Sequence, residues 1–204
     1  MNKYLDFRNE TDYSKLKEPA NIIKNGGIVV FPTETVYGIG TNGLNENSIK
    51  RLYEVKQRPL NKPISLLVSS IEMIEQVTQN ISELEYKLIK KFMPGPLTII
   101  LNKKDIIPNI LTANGDTVGI RMPENKVALK LIEYAGVPIA TPSANISGKP
   151  SGTTLDMIKK DFGEKVDYFI DGGKSKIGVA STIVQVIDGK PHILREGVIL
   201  KYKW

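Results

Sequence analysis

The run KQRPLNKP sets Lys56, Arg58 and Lys62 within seven residues, beside two prolines that stiffen the backbone. Arg58 offers a planar fork able to grip two phosphate oxygens, whereas Lys56 and Lys62 act as point charges that need less exact placement. Taken alone, such a run also reads as a solvated basic turn. A second stretch, Thr141-Pro142-Ser143-Ala144-Asn145 followed by Ser147 and Gly148, is rich in short donors and acceptors that suit a nucleotide better than a packed core. Together the two stretches point to nucleotide chemistry.

Three further groups could do chemistry. FPTETVYG at 31–38 follows an apolar run, and its Thr33 and Thr35 could bond a small polar substrate or their own backbone. Arg121 ends an otherwise apolar run, so its charge needs either a substrate carboxylate or a structural acid such as Glu34 or Asp116. Ser181-Thr182 opens one strand and Arg195 closes another. Two familiar phosphate templates fail. Gly38-Ile39-Gly40-Thr41-Asn42-Gly43 spells a dinucleotide fingerprint, but six residues separate it from the preceding strand and Lys62-Pro63 stand where the acidic residue belongs. Gly173-Lys174-Ser175 imitates the end of a P-loop whose leading glycine is replaced by Tyr168. Both runs read more simply as loops using glycine's positive φ.

These residues must be positioned by a sheet and its helices. Apolar runs at 26–31, 64–68, 97–101, 117–122, 137–141, 166–170, 181–187 and 192–196 read as strands. Helices are expected from Pro19 with Gly26 as a stop, from Asn47, from Ser82 with a Ser82/Glu85 capping box, from Asn125 and from Thr154. The last three strands follow one another without a helix, and Asp188-Gly189 is a hairpin signal. The chain is therefore an α/β protein with a mixed sheet flanked by helices.

At 204 residues without a linker or an abrupt change of composition, residues 1–204 read as a single domain. With no cysteine and only His192, a cysteine nucleophile, a thiolate or paired-histidine metal site and a Ser-His-Asp relay all drop out. The first residues lack the apolar core of a signal peptide and no apolar run approaches the ~20 residues that span a bilayer, so a cytoplasmic protein without membrane partners is expected. A formal charge of +6 favours polyanionic partners such as nucleotides or RNA.

In combination, the blocks GGIVVFPTETVYGIG, KQRPLNKPISLL, MPGPLTIIL, DTVGIRMP, GVPIATPSANISGKPSGT, IDGG, GVASTIVQ and LREG resemble the YrdC-like L-threonylcarbamoyladenylate synthases, in the family's order, from about 27 to 197. The resemblance implies a twisted open α/β sheet with a basic concave groove. It also implies the conversion of L-threonine, bicarbonate or dissolved carbon dioxide, and ATP with Mg²⁺, into L-threonylcarbamoyladenylate and pyrophosphate. Partner proteins would then carry the group to adenosine beside the anticodon of tRNA.

By motif, Thr33, Arg121, Thr141 and Ser181 are expected around threonine, and Lys56, Arg58, Thr117, Ser143, Ser151 and Arg195 around ATP. Lys56 and Arg58 would neutralise the reacting phosphates. Lys62 and Asn145 join the ATP set on chemistry, as a phosphate cation and an amide. No protein metal ligand is assigned. Longer family members carry a histidine where this chain has Leu67, and continue beyond LREG into a linker and a second domain, so here the site is expected without a closing linker. Two other functions stay open. One is a double-stranded RNA or tRNA-binding module without catalysis, although the aromatics that stack single-stranded bases are sparse. The other is a carbamoyladenylate-forming paralogue with a different substrate.

Overall fold

The computed structural model describes residues 3–199. Ten strands are found among them: β1 (Lys3–Asp6), β2 (Val29–Phe31), β3 (Gly38–Asn42), β4 (Leu66–Leu67), β5 (Leu97–Asn102), β6 (Thr117–Arg121), β7 (Ile139–Ala140), β8 (Tyr168–Asp171), β9 (Thr182–Ile187) and β10 (Lys190–Arg195). Six α-helices intervene: α1 (Lys17–Lys24), α2 (Glu46–Lys56), α3 (Ile71–Val77), α4 (Glu83–Phe92), α5 (Lys126–Ala135) and α6 (Leu155–Phe162).

Short polar residues start the helices by accepting hydrogen bonds from otherwise orphaned N–H groups. Asn45 accepts from Ser48 N, Ser70 from Met73 N and Asn125 from Ala128 N. Ser82 and Glu85 form the expected reciprocal capping box. Helix α2 stops because Gln57 turns left-handed, at φ 51°, which releases the chain into the KQRPLNKP turn. Helix α5 stops at Gly136, at φ 67°.

All ten strands join one sheet in the order β1-β8-β2-β3-β7-β4-β6-β5-β9-β10. It is mixed as expected: β1, β8 and β2 run parallel, as do β4 with β6 and β5 with β9, while the other neighbours are antiparallel. Both faces are covered. Val29 and Phe31 point to a core with Leu16, Ala20 and Ile23 of the α1 region and Ala128, Leu131 and Ile132 of α5. Val30, between them, points to a larger core with Ile49 and Leu52 of α2, Leu88 of α4 and Phe162 of α6, as strand alternation requires.

Two expectations are corrected, and two elements are added. Gly38–Asn42 is a strand rather than a glycine turn, and its glycines answer to crowding instead of positive φ. A Cβ on Gly38 would sit 2.6 Å from Thr141 Cγ2, and one on Gly40 2.6 Å from Ile139 Cγ2. Only side-chain-free residues let β7 and the 141–145 loop lie this close. The apolar runs at 64–68 and 137–141 shrink to two-residue strands. Strand β1 and helix α3 had no counterpart in the sequence reading. The expected Asp188-Gly189 hairpin is present, with φ of 50° and 71° joining Ile187 to its partner Lys190. Among the described residues no helix is long and apolar enough to cross a membrane.

Candidate functional site

A cavity of about 210 Å³ opens where β4, β6 and β7 end and β9 begins, and where β10 and the 31–38 loop meet them. Arg121 stands at the end of β6, Thr141 and Ser143 follow β7, and Ser181 precedes β9. Arg58 enters from the turn after α2, Arg195 from the end of β10, and Ser151 from the loop before α6. Residues from 58 to 195 that the family resemblance groups around threonine and ATP thus share one wall.

Each is held by local structure. Arg58 Nε donates to Lys62 O at 3.0 Å and Nη2 to Pro63 O at 2.8 Å, so the guanidinium closes its own proline-stiffened turn at the cavity edge. Arg195 Nη2 donates to Ser181 O at 2.8 Å and Ser181 Oγ at 3.2 Å, and Ser181 Oγ lies 2.7 Å from Thr98 Oγ1. Gly197 makes this possible: a Cβ there would lie 2.6 Å from Ser181 C and from Thr182 N. Thr141 is anchored through its N–H to Ser65 O at 2.9 Å, and its hydroxyl donates to Ile139 O at 3.0 Å.

Arg121 carries both roles weighed for it, as a cavity wall and as half of a buried ion pair. Its Nη2 donates to Glu34 Oε1 at 2.7 Å and to Thr35 Oγ1 at 2.9 Å, and its Nε to Gly95 O at 3.3 Å. The structural acid is Glu34, not Asp116. Arg58, Arg121 and Arg195 bring three guanidiniums to one cavity, with Glu34 matching one of them. Desolvation, and then the charges of Arg121 and Arg58, lower the pKa of Arg195. Desolvation also lowers that of Arg58, against a smaller opposing effect of Tyr53. Such a cluster is relieved by an anion.

Five expected site residues lie elsewhere. Lys56 is buried, and its ammonium donates to Asn145 O at 2.6 Å and to Ser143 O. Burial, helped by the charge of Arg58, pulls its pKa down to about 7. Lys56 therefore fastens the end of α2 to the 143–145 loop rather than facing the cavity. The Asn145 amide is spent within that loop, donating to Ile146 O and Lys149 O at 3.0 and 2.8 Å. Lys62 is exposed and contributes a backbone carbonyl to the turn. Thr117 begins β6, four residues from Arg121 and so about 13 Å away along the strand. Thr33 lines a neighbouring cavity, its hydroxyl turned to Val36 O at 2.5 Å.

The cavity is also lined by Thr35, which was weighed beside Thr33 but not assigned to threonine and whose Oγ1 lies 3.0 Å from Thr33 Oγ1, together with Ser65, Leu67 and Thr98, which had no expected role. Ser65 and Leu67 were accessible from period two, because both must face away from Leu66. No period governs the 31–38 loop, so nothing local separates Thr33 from Thr35.

The sequence profile of the Sua5/YciO/YrdC family, described as telomere recombination, matches residues 21–197. A threonylcarbamoyl-AMP synthase of Pyrococcus abyssi is 44% identical over 197 residues, covering 97% of this chain and 58% of that protein. One of Bacillus subtilis is 41% identical over 192 residues, covering 94% and 56%. The chain thus spans little more than half the length of these relatives. The crystal structure of P. abyssi Sua5 complexed with L-threonine superposes with a TM-score of 0.92 at 44% identity, over 95% of this chain and 57% of that one. With a profile match across most of its length and identities above 40%, the chain belongs to the Sua5/YciO/YrdC family.

Proposed function

We propose that this chain forms L-threonylcarbamoyladenylate and pyrophosphate from L-threonine, bicarbonate or dissolved carbon dioxide, and ATP, in the cytoplasm, for later transfer to tRNA by other proteins. The observation that carries this reading is the convergence of Arg58, Arg121 and Arg195 with the hydroxyls of Thr35, Thr141, Ser143 and Ser181 around one cavity. The names of the P. abyssi and B. subtilis relatives, and the L-threonine complex of P. abyssi Sua5, support it.

In this reading Arg121 takes the threonine carboxylate, and Thr35, Thr141 and Ser181 surround the amino acid. Arg58, Arg195, Ser143 and Ser151 take the nucleotide, with Lys56 and Asn145 holding the loop that presents Ser143. The threonine amine adds to carbon dioxide and loses a proton to solvent, giving a carbamate. A carbamate oxygen then bonds to the α-phosphorus as the bond to the β-phosphate oxygen breaks, and pyrophosphate leaves with that electron pair. The step needs proximity and charge neutralisation rather than a protein nucleophile. Among the described residues no group of three His, Cys, Asp or Glu side chains is placed to hold a metal. In this reading Mg²⁺ comes with the triphosphate of ATP.

The test is pyrophosphate release from MgATP by the purified chain, with and without L-threonine and bicarbonate. Release that requires both supports the synthase. Release without threonine dependence points to a paralogue with another substrate, and no release with salt-sensitive tRNA binding points to a binding module.

A further inference from the structure

The 31–38 loop serves two cavities. Thr35 and Val36 line the arginine cavity, while Pro32, Thr33 and Glu34 line a second one of about 450 Å³, walled by the start of α5 and by residues 172–176. Two buried side-chain atoms among the described residues lack any hydrogen-bond partner: Glu34 Oε2 and Ser175 Oγ. Both residues line this second cavity and are only 4% and 7% exposed, their orphan atoms lying beneath its surface. Buried polar atoms are almost always paired, so two orphans sharing one cavity mark a place where a partner belongs.

The chemistry of that partner follows from the wall. Glu34 is committed through Oε1 to Arg121, so its second oxygen is an acceptor that wants an N–H or O–H donor. Ser175 Oγ can give or accept. At the rim stand Lys126, Lys174 and Lys176, none in an ion pair among the described residues, against the one unmatched acid Glu124. Lys126 is also the first residue of the ten-residue helix α5, whose N-terminal N–H groups add to the attraction for an anion. Pro94, Val127 and Leu129 complete the wall with apolar surface. We infer that this cavity binds a small organic anion that also carries an amino or hydroxyl donor. The donor meets the Glu34 carboxylate and the anionic end meets the lysines, with Ser175 between them. The inference rests on the second cavity alone and stands whether or not the first makes an adenylate.

The full chain, labelled with ¹⁵N, is titrated with L-phosphoserine, which has both an anionic and a donor end, and separately with sulfate, an anion without a donor. Phosphoserine is expected to give saturable amide shifts at Lys126, Val127 and Ser175 below about 10 mM, with sulfate at least about fivefold weaker. The triple variant Lys126→Gln, Lys174→Gln, Lys176→Gln is expected to weaken phosphoserine at least about tenfold, and Ser175→Ala about threefold. The same spectra report whether each variant is folded. Equal affinity for both probes overturns the donor requirement. Shifts confined to the surroundings of Arg58, Ser143 and Arg195, or shifts that never saturate, overturn the site and leave water as the partner of the two orphan atoms.

Discussion

Replacing Arg121 by methionine tests the joint between the two cavities. Arg121 and Glu34 form a 2.7 Å ion pair with side chains only 9% and 4% exposed, so neither charge has water to fall back on. Arg121→Met leaves Glu34 Oε1 unpaired beside an Oε2 that is already unpaired, and removes the donor to Thr35 Oγ1. Breaking a buried pair from one side costs about 3–5 kcal/mol. With a urea m-value of about 2 kcal/mol/M for a chain of this size, the unfolding midpoint should fall by roughly 1.5–2.5 M. The double variant Glu34→Gln, Arg121→Met replaces the stranded charge with a neutral amide, and its loss should shrink to about 1–3 kcal/mol, the cost of unmet hydrogen bonds. Equilibrium urea unfolding followed by far-UV circular dichroism at pH 7 reads both values. An Arg121→Met midpoint within about 0.5 M of wild type would refute the argument that the pair is desolvated. So would a double variant no more stable than the single one.

Arg58→Ala should lower kcat/KM for ATP about 10–150-fold by removing a charge-assisted contact worth about 1.5–3 kcal/mol; steady-state pyrophosphate release at varied ATP checks this, and wild-type kinetics would sink the assignment. Gly197→Ala should destabilise the chain by about 1–3 kcal/mol and lower activity with it, because its Cβ must displace the backbone of Ala180, Ser181 and Thr182. A thermal midpoint unchanged from wild type would show that the close approach is not needed. Burial opposes ionisation of Asp167, yet Arg51 and the Ile28 N–H prevail and hold its pKa below the usual carboxylate value. Its contribution is present above a pH of about 4 and lost as pH falls through the folded value, so Asp167→Asn should be less stable at pH 7 and lose less on acidification. Parallel stability-versus-pH curves for the two proteins would contradict this.

What the sequence disclosed was local. Ser82 and Asn125 mark helix starts because capping is settled within one turn, Thr154 stands at the start of α6 without a side-chain cap bond, and Asp188-Gly189 marks a hairpin because two residues decide its geometry. Strand β3 was hidden because its glycines carry no apolar signal; their reason, the approach of Ile139 and Thr141, lies a hundred residues away. Strand β1, with Lys3 and Asp6 in a mostly exposed run, shows no alternation to read. Within the site, charge and hydroxyl content pointed to Arg58, Arg121, Thr141 and Ser143, whereas Ser151, Ser181 and Arg195 were expected there from the family resemblance. The sequence could not show that Lys56 turns inward to two carbonyls, because the acceptors sit on a loop nearly ninety residues further on.

The position of β8 between β1 and β2 sets a schedule for synthesis. Among the described strands β1 has β8 as its sole partner, yet residues 168–171 leave the ribosome about 165 residues after residues 3–6. At about 5–20 residues per second that is a wait of roughly 8–33 s with the first strand unpaired. Lys3 and Asp6, charged and exposed in the finished protein, suit a segment that must stay unattractive to other nascent strands during that interval. The last-made part of the chain thus supplies the partner of the first strand, and the arginine cavity, drawn from residues 35 to 195, is complete only after Arg195 has also been made.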